Sequence, residues 1–193
     1  MIHKEEEIYE WFKGAVSSQR IDVVCSLLRL CLPLELRFVG SCLEDLARKD
    51  YVSLREYELK SNDNSGYTTL MADSPGEELQ NTLNIYVSLL YSTNTVCANS
   101  LFHILEGLQG RLQLTLSQGL SGDSKAVSDE KAAQDFLLLF TMAAHHPAFT
   151  FSQRIKLFDC LKSIRQLFCE MGLIVSYYAL KCLNEISDCG QIK

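Results

Sequence analysis

The sequence predicts an all-α protein, a bundle of about seven or eight mostly antiparallel helices. Three observations point there. Apolar residues recur at the three- and four-residue spacing of a helix face along most of the chain. The alternating apolar and polar runs of half-buried strands are almost absent. Pro33, Pro75 and Pro147, the chain's 3 prolines, each stand where one periodic segment stops or the next begins.

The elements follow in order. Residues 4–16 form a short amphipathic helix with Ile8, Trp11, Phe12 and Val16 on one stripe, opened by Lys4 and the acidic run Glu5 to Glu7, which complements the helix dipole. Ser17-Ser18 then supplies a break and an N-cap. From Gln19 to Leu32 apolar residues cover nearly the whole circumference, so this helix is expected to be central and buried. Pro33 stops it and starts the next almost without a loop.

That next helix, Pro33 to Tyr51, is read as the keystone of the fold. Leu36, Val39, Leu43, Leu46 and Ala47 share one face, expected to pack on the preceding helix, and the other face is charged. Two pairs in acid-first order, Glu44 with Arg48 and Asp45 with Lys49, would contribute about 0.2 to 0.5 kcal/mol each. Gly40, in mid-helix, costs about 1 kcal/mol against Ala and suggests a second backbone close by.

A turn over Asp50 to Ser53 leads to a charged helix of one to two turns, and 61–74 has the composition of a flexible loop. Ser74-Pro75-Gly76-Glu77 opens a helix to about Tyr91 with Leu79, Leu83, Tyr86, Val87 and Leu90 inward. The break at 92–95 precedes a helix from Val96 to about Leu114, whose stripe is Leu101, Ile104, Leu105, Leu108 and Leu112. A flexible connection is expected over about 117–128. Ser128 starts a helix whose run Phe136 to Phe140 implies burial on most sides, and Pro147 ends it. Ser152 caps the last core helix, Gln153 to Met171, with Ile155, Phe158, Leu161, Ile164, Leu167 and Phe168 inward.

The totals restrict the function. A chain of 193 residues fits one helical module, taken as 1–171, followed by a divergent segment over 172–193. The formal net charge of −6 offers no general attraction to phosphate backbones. The N-terminus lacks an apolar signal region and no apolar run is long enough to span a membrane, so the 8 cysteines are expected to sit reduced in a cytoplasmic protein. They contain no CxxC pair and read as small core hydrophobes, with no metal or other cofactor expected.

Catalytic patterns are missing as well. There is no phosphate-cradling glycine loop. His145-His146 precedes Pro147 at a helix end, where imidazoles cap carbonyls more readily than they act as bases. Enzymatic activity is not expected.

A family likeness rests on EIYEWF at 7–12, on the block from Ser17 through Pro33 to Asp63, and on FLLLFTMAAHHPAFTFSQRIKL at 136–157. These stretches resemble the N-terminal region of the zinc-finger CCHC-domain-containing proteins numbered two and fourteen and, more distantly, that of Smaug, the translational repressor. The resemblance spans about residues 5–170. It implies a cytoplasmic post-transcriptional regulator whose helical region self-associates or docks a protein partner, a non-canonical poly(A) polymerase among the candidates. The relatives' zinc knuckle, SAM domain and PX-like region have no counterpart in this chain, so direct RNA binding is not expected to carry over.

The departure after Met171 fits an extra helix, an artefact of the gene model or the variant terminus of a shortened product, and we read it as the last. The expected docking surface is Arg37, Glu44, Asp45, Arg48, Lys49, Tyr51 and Arg55, with Tyr9, Trp11 and Phe12 as aromatic neighbours that also serve to staple the first helix. The alternative is an adaptor for phosphoinositide or other anionic membrane surfaces using Arg37, Arg48, Lys49 and Arg55, a reading that the negative total charge opposes.

Overall fold

The computed structural model describes residues 2–67, 70, 76–118 and 130–173. Among them are eight α-helices: α1 (Ile2–Gly14), α2 (Ser17–Leu28), α3 (Pro33–Ala47), α4 (Tyr51–Ser61), α5 (Gly76–Leu89), α6 (Thr95–Gln118), α7 (Glu130–His145) and α8 (Phe151–Glu170). No strand occurs among the described residues, and the all-α prediction holds. The start signal at Ser74-Pro75, most of the expected connection over 117–128 and the segment 174–193 lie outside the described residues.

Helix α7 is the central element. Its Ala133, Leu137, Leu139, Phe140, Ala143 and Ala144 are buried, and it packs against α2, α5 and α8. The alternation of large residues with alanines lets three neighbours approach one helix, as close packing demands. From α5 come Leu79, Leu83 and Val87, from α6 Leu101 and Leu105, and from α8 Leu157, Leu161, Ile164 and Phe168. Phe136 meets Phe168 edge-on at 6.4 Å, a geometry that aromatic quadrupoles favour.

Asn62, just past α4, fastens that helix to the core. Its side-chain amide donates to the carbonyls of Glu58 and Leu89, both at 2.9 Å, and its Oδ1 accepts from the backbone N–H of Tyr91 at 2.8 Å. Asn94 in turn donates to the Asn62 carbonyl and accepts from the N–H of Cys97, capping α6. Two asparagines thereby satisfy the free backbone groups of three helix ends.

Several expectations are corrected. Helix α2 ends at Leu28, so a short connection, Arg29 to Leu32, precedes Pro33. Ser17 and Ser18 lie inside α2, and the Gln19 side chain reaches back to the Val16 N–H instead. Glu35 does the same for the N–H of Leu32 before α3. The expected turn at Asp50 to Ser53 is a 3-10 turn, Arg48–Asp50, running straight into α4. Thr150 rather than Ser152 caps α8, in a reciprocal box with Gln153, because a box needs its Gln three residues on. Ile155 faces outward and Leu157 inward, which shifts the α8 stripe to 157, 161, 164 and 168.

The largest correction concerns α2 and α3. Helix α2 docks on α7 along one side only, with Ser18 its only buried residue and Leu27 exposed. Helix α3 has no buried residue at all. The helix buried on most sides is α7, and the expected keystone stands outside the core.

Candidate protein-docking surface

Along α3 the apolar residues form a stripe, exposed except at half-buried Val39. Leu32 leads into the helix, and Leu36, Val39, Leu43 and Leu46 follow at alternating steps of four and three, the repeat of a coiled-coil seam. Leu43 is 53% and Leu46 59% exposed. Leu34, 84% exposed, and Phe38 add apolar surface beside the seam. Gly40 lies in its middle, and a Cβ placed there would meet no atom of the described residues beyond its own stretch of helix within 4 Å. Among the described residues no second backbone supplies the close approach that the mid-helix glycine suggested.

The residues singled out from sequence are distributed along this edge. Arg37, Glu44 and Arg48 share one α3 face by their spacing, seven and then four residues apart. The ion pair that forms is Asp45 with Arg48 at 3.7 Å, three residues apart, in place of the two expected pairs. It is fully open to solvent and contributes little. Lys49 falls in the 3-10 turn. Tyr51 opens α4, and the Arg55 guanidinium sits 5.7 Å from its ring centroid while donating to Glu58 at 2.9 Å. Tyr51 and Arg55 are thus brought together, and Val52, Leu54 and Tyr57 extend the apolar exposure along α4.

A second group was not legible in the sequence. Asp22 of α2 accepts from His145 Nε2 at 2.9 Å and from Arg165 of α8 at 3.1 Å, while Arg29 donates to His145 Nδ1 at 3.0 Å. The His145 side chain is 5% exposed. The residue does not cap its own helix as expected but reaches across to α2.

His146 does serve the turn, accepting from the N–H of Ala148 at 3.1 Å. Burial holds its pKa below the ordinary imidazole value, a hydrogen bond with the Leu90 backbone opposing that shift. The unfolded chain therefore binds a proton here at higher pH than the folded one. Stability is expected to fall as pH drops below about 6.5 and to stop falling on this account once the lowered folded value is passed. Urea midpoints between about pH 7.5 and 5 should show this slope, and His146→Gln should flatten it.

Among the described residues no three His, Cys, Asp or Glu side chains converge as a metal site would require, and no helix is long and apolar enough to cross a membrane.

The described residues form an all-α bundle that carries a helix, α3, with no buried residue. The model of the SMAUG-like PHAT domain matches residues 54–169, more than half of the chain, and the chain belongs to that family. The model of the RNA-binding protein vts1-like domain matches residues 5–49, which contain α2 and α3. Together they point to a family of post-transcriptional regulators and agree with the resemblance to Smaug. Neither description names the zinc-finger CCHC-domain proteins, so that part of the resemblance is not shown. The expectation of no RNA contact does not fit the second match, whose family is described as RNA-binding. No solved structure matches the chain.

Proposed function

We propose that this chain is the non-enzymatic self-association module of a cytoplasmic post-transcriptional regulator, and that α3 forms the contact. The observation that carries the reading is the seam of exposed Leu32, Leu36, Leu43 and Leu46 with half-buried Val39 between them. A helix of about 15 residues is marginal in water without tertiary cover. This one also leaves an apolar face to solvent, the condition that marks an interaction site.

A second copy suits the seam. In an antiparallel pair centred between Val39 and Gly40, Leu36 faces Leu43 of the other copy, Leu32 faces Ala47, and Val39 fills the space over Gly40. The register repeats itself under a two-fold axis, as an isologous interface requires.

Sedimentation tests this directly. The unaltered chain should sediment as a dimer and Leu43→Glu as a monomer, with thermal unfolding of the α5 to α8 core unchanged because Leu43 is exposed in the single chain. In a Cys42→Ser background, Leu36→Cys and Leu43→Cys chains should cross-link when mixed and not separately. A monomer at every concentration would overturn the reading and leave the seam to a different protein, for which the resemblance suggests a non-canonical poly(A) polymerase. Arg48→Glu with Lys49→Glu asks whether the charged side takes part, weakened association with intact helicity being the expected result.

RNA contact is the second reading, favoured by the description of the vts1-like family that matches 5–49. Filter binding of single-stranded and hairpin RNA to the whole chain tests it. The membrane alternative has less to draw on, since Arg48 and Arg55 already face Asp45 and Glu58. Salt-sensitive flotation with anionic vesicles would restore it.

A further inference from the structure

Helix α4 packs on α5, and what fixes it there is gathered at its C-terminal end. Its side chains are exposed except for half-buried Glu58 and for Ser61, its last and only buried residue. Just beyond, the Asn62 amide uses every hydrogen-bonding position it has. Its Nδ2 donates to the carbonyls of Glu58 in α4 and of Leu89 at the end of α5, and its Oδ1 accepts from the N–H of Tyr91 and from Asn94 Nδ2 at 3.2 Å. Beside it the buried Tyr67 hydroxyl donates to the Ser61 carbonyl. Farther along α4 the Arg55 side chain reaches that of Tyr91, a contact open to solvent.

We propose that Asn62 is a positioning residue for self-association: it sets the angle at which α4 and α3 stand off the body, so that the α3 seam meets a second copy in one orientation. The inference rests on the reading that α3 pairs with a second copy. The 3-10 turn Arg48–Asp50 keeps right-handed helical dihedrals on both sides, and the Tyr51 N–H bonds back to the Arg48 carbonyl, so α3 follows the direction of α4. At about 1.5 Å per residue the helical path from Asn62 to Leu43 is about 28 Å, and a tilt of about 10° at Asn62 moves Leu43 by about 5 Å. A knob displaced that far misses its hole.

The other end of α3 does not take over this task. Between α2 and α3 the connection Arg29 to Leu32 is not helical, so α2 can stay docked on α7 while α3 tilts. Helix α3 itself buries no residue and half-buries Val39 and Gly40. At position 62 the junction requires an amide of this length. Aspartate could still accept from Tyr91 and Asn94, yet it has no hydrogen for the Glu58 and Leu89 carbonyls and would set a carboxylate against them. The Leu89 carbonyl belongs to the end of α5, where a helix has no acceptor partner of its own. Asn62→Asp therefore undoes the join between α4 and α5 and leaves every residue of the seam in place.

Hydrogen exchange and sedimentation of the whole chain at one pH test it. At protein concentrations too low for pairing, the α4 amides of Asn62→Asp should lose protection about tenfold or more while those of α7 and α8 keep theirs. Sedimentation equilibrium should show the dimer of this variant dissociating about tenfold more readily, because each copy must first order what the unaltered chain holds ready. Ile164→Val trims the buried core away from α4; it should lower stability and leave pairing unchanged, which separates lost positioning from a general loss of stability. Tyr67→Phe removes one hydrogen bond from the same junction, should move both readouts the same way by less, and stands in if Asn62→Asp does not fold. Unchanged α4 exchange in Asn62→Asp would overturn the proposal, as would pairing as tight as that of the unaltered chain once α4 protection is lost. An unaltered chain that stays a monomer removes the self-association reading, and α4 exchange alone then decides whether Asn62 fixes the helix.

Discussion

Leu139→Ala is expected to destabilise the folded chain by about 2 to 5 kcal/mol, while Leu43→Ala, the same change of side chain, should stay within about 0.5 kcal/mol in the monomer. Leu139 is fully enclosed between the neighbours of α7, so removing three carbons leaves a cavity that the rigid bundle closes only in part. Leu43 stands on α3 with half of its surface in water and leaves no cavity behind. Urea unfolding at protein concentrations low enough to suppress association measures both. At higher concentration Leu43→Ala should lose the part of its stability that mass action from a second copy supplies. Similar costs at low concentration would mean that α3 belongs to the core after all.

The contrast also marks how far the sequence could be read. The inward faces of α5 and α6 were legible because Leu83, Val87, Leu101 and Leu105 recur at helical spacing and each has nowhere to go but the core. Helices α2 and α3 are as apolar, yet the apolar residues of α2 are mostly half-buried and those of α3 mostly exposed. Periodicity states that a face must be covered and does not state by which chain. Gly40 held the missing hint: a mid-helix glycine with no neighbour across it among the described residues leaves room for another backbone. Charge pairs were misjudged for a local reason, since Arg48 ends α3 and its side chain meets Asp45 one turn back rather than Glu44. The cluster around Asp22 was out of reach altogether. Asp22 and His145 lie 123 residues apart, and no spacing rule connects an acid on one helix with an imidazole at the end of another.

The second large effect is expected at Asp22. Asp22→Ala leaves two cationic or donor groups, Arg165 and His145, facing each other without the carboxylate that joins them. Removing one partner of a buried ion pair costs about 3 to 5 kcal/mol. Asp22 and Arg165 each keep 16% of their side-chain surface, so solvent relieves part of the penalty. A loss of about 1 to 3 kcal/mol is therefore expected, well above the level of about 0 to 1 for an open pair such as Asp45 with Arg48. Asp22→Asn should fall between, because one oxygen can still accept from His145 Nε2 while the charge is gone. Urea unfolding of Asp22→Ala, Arg165→Met and the double variant gives the coupling between them, and additive losses would show that the two side chains touch without depending on each other. The denaturant slope separates two outcomes of equal midpoint. If these contacts hold α2 to the body, Asp22→Ala should lower the slope as well as the midpoint, since a helix already undocked exposes less new surface when the core finally melts.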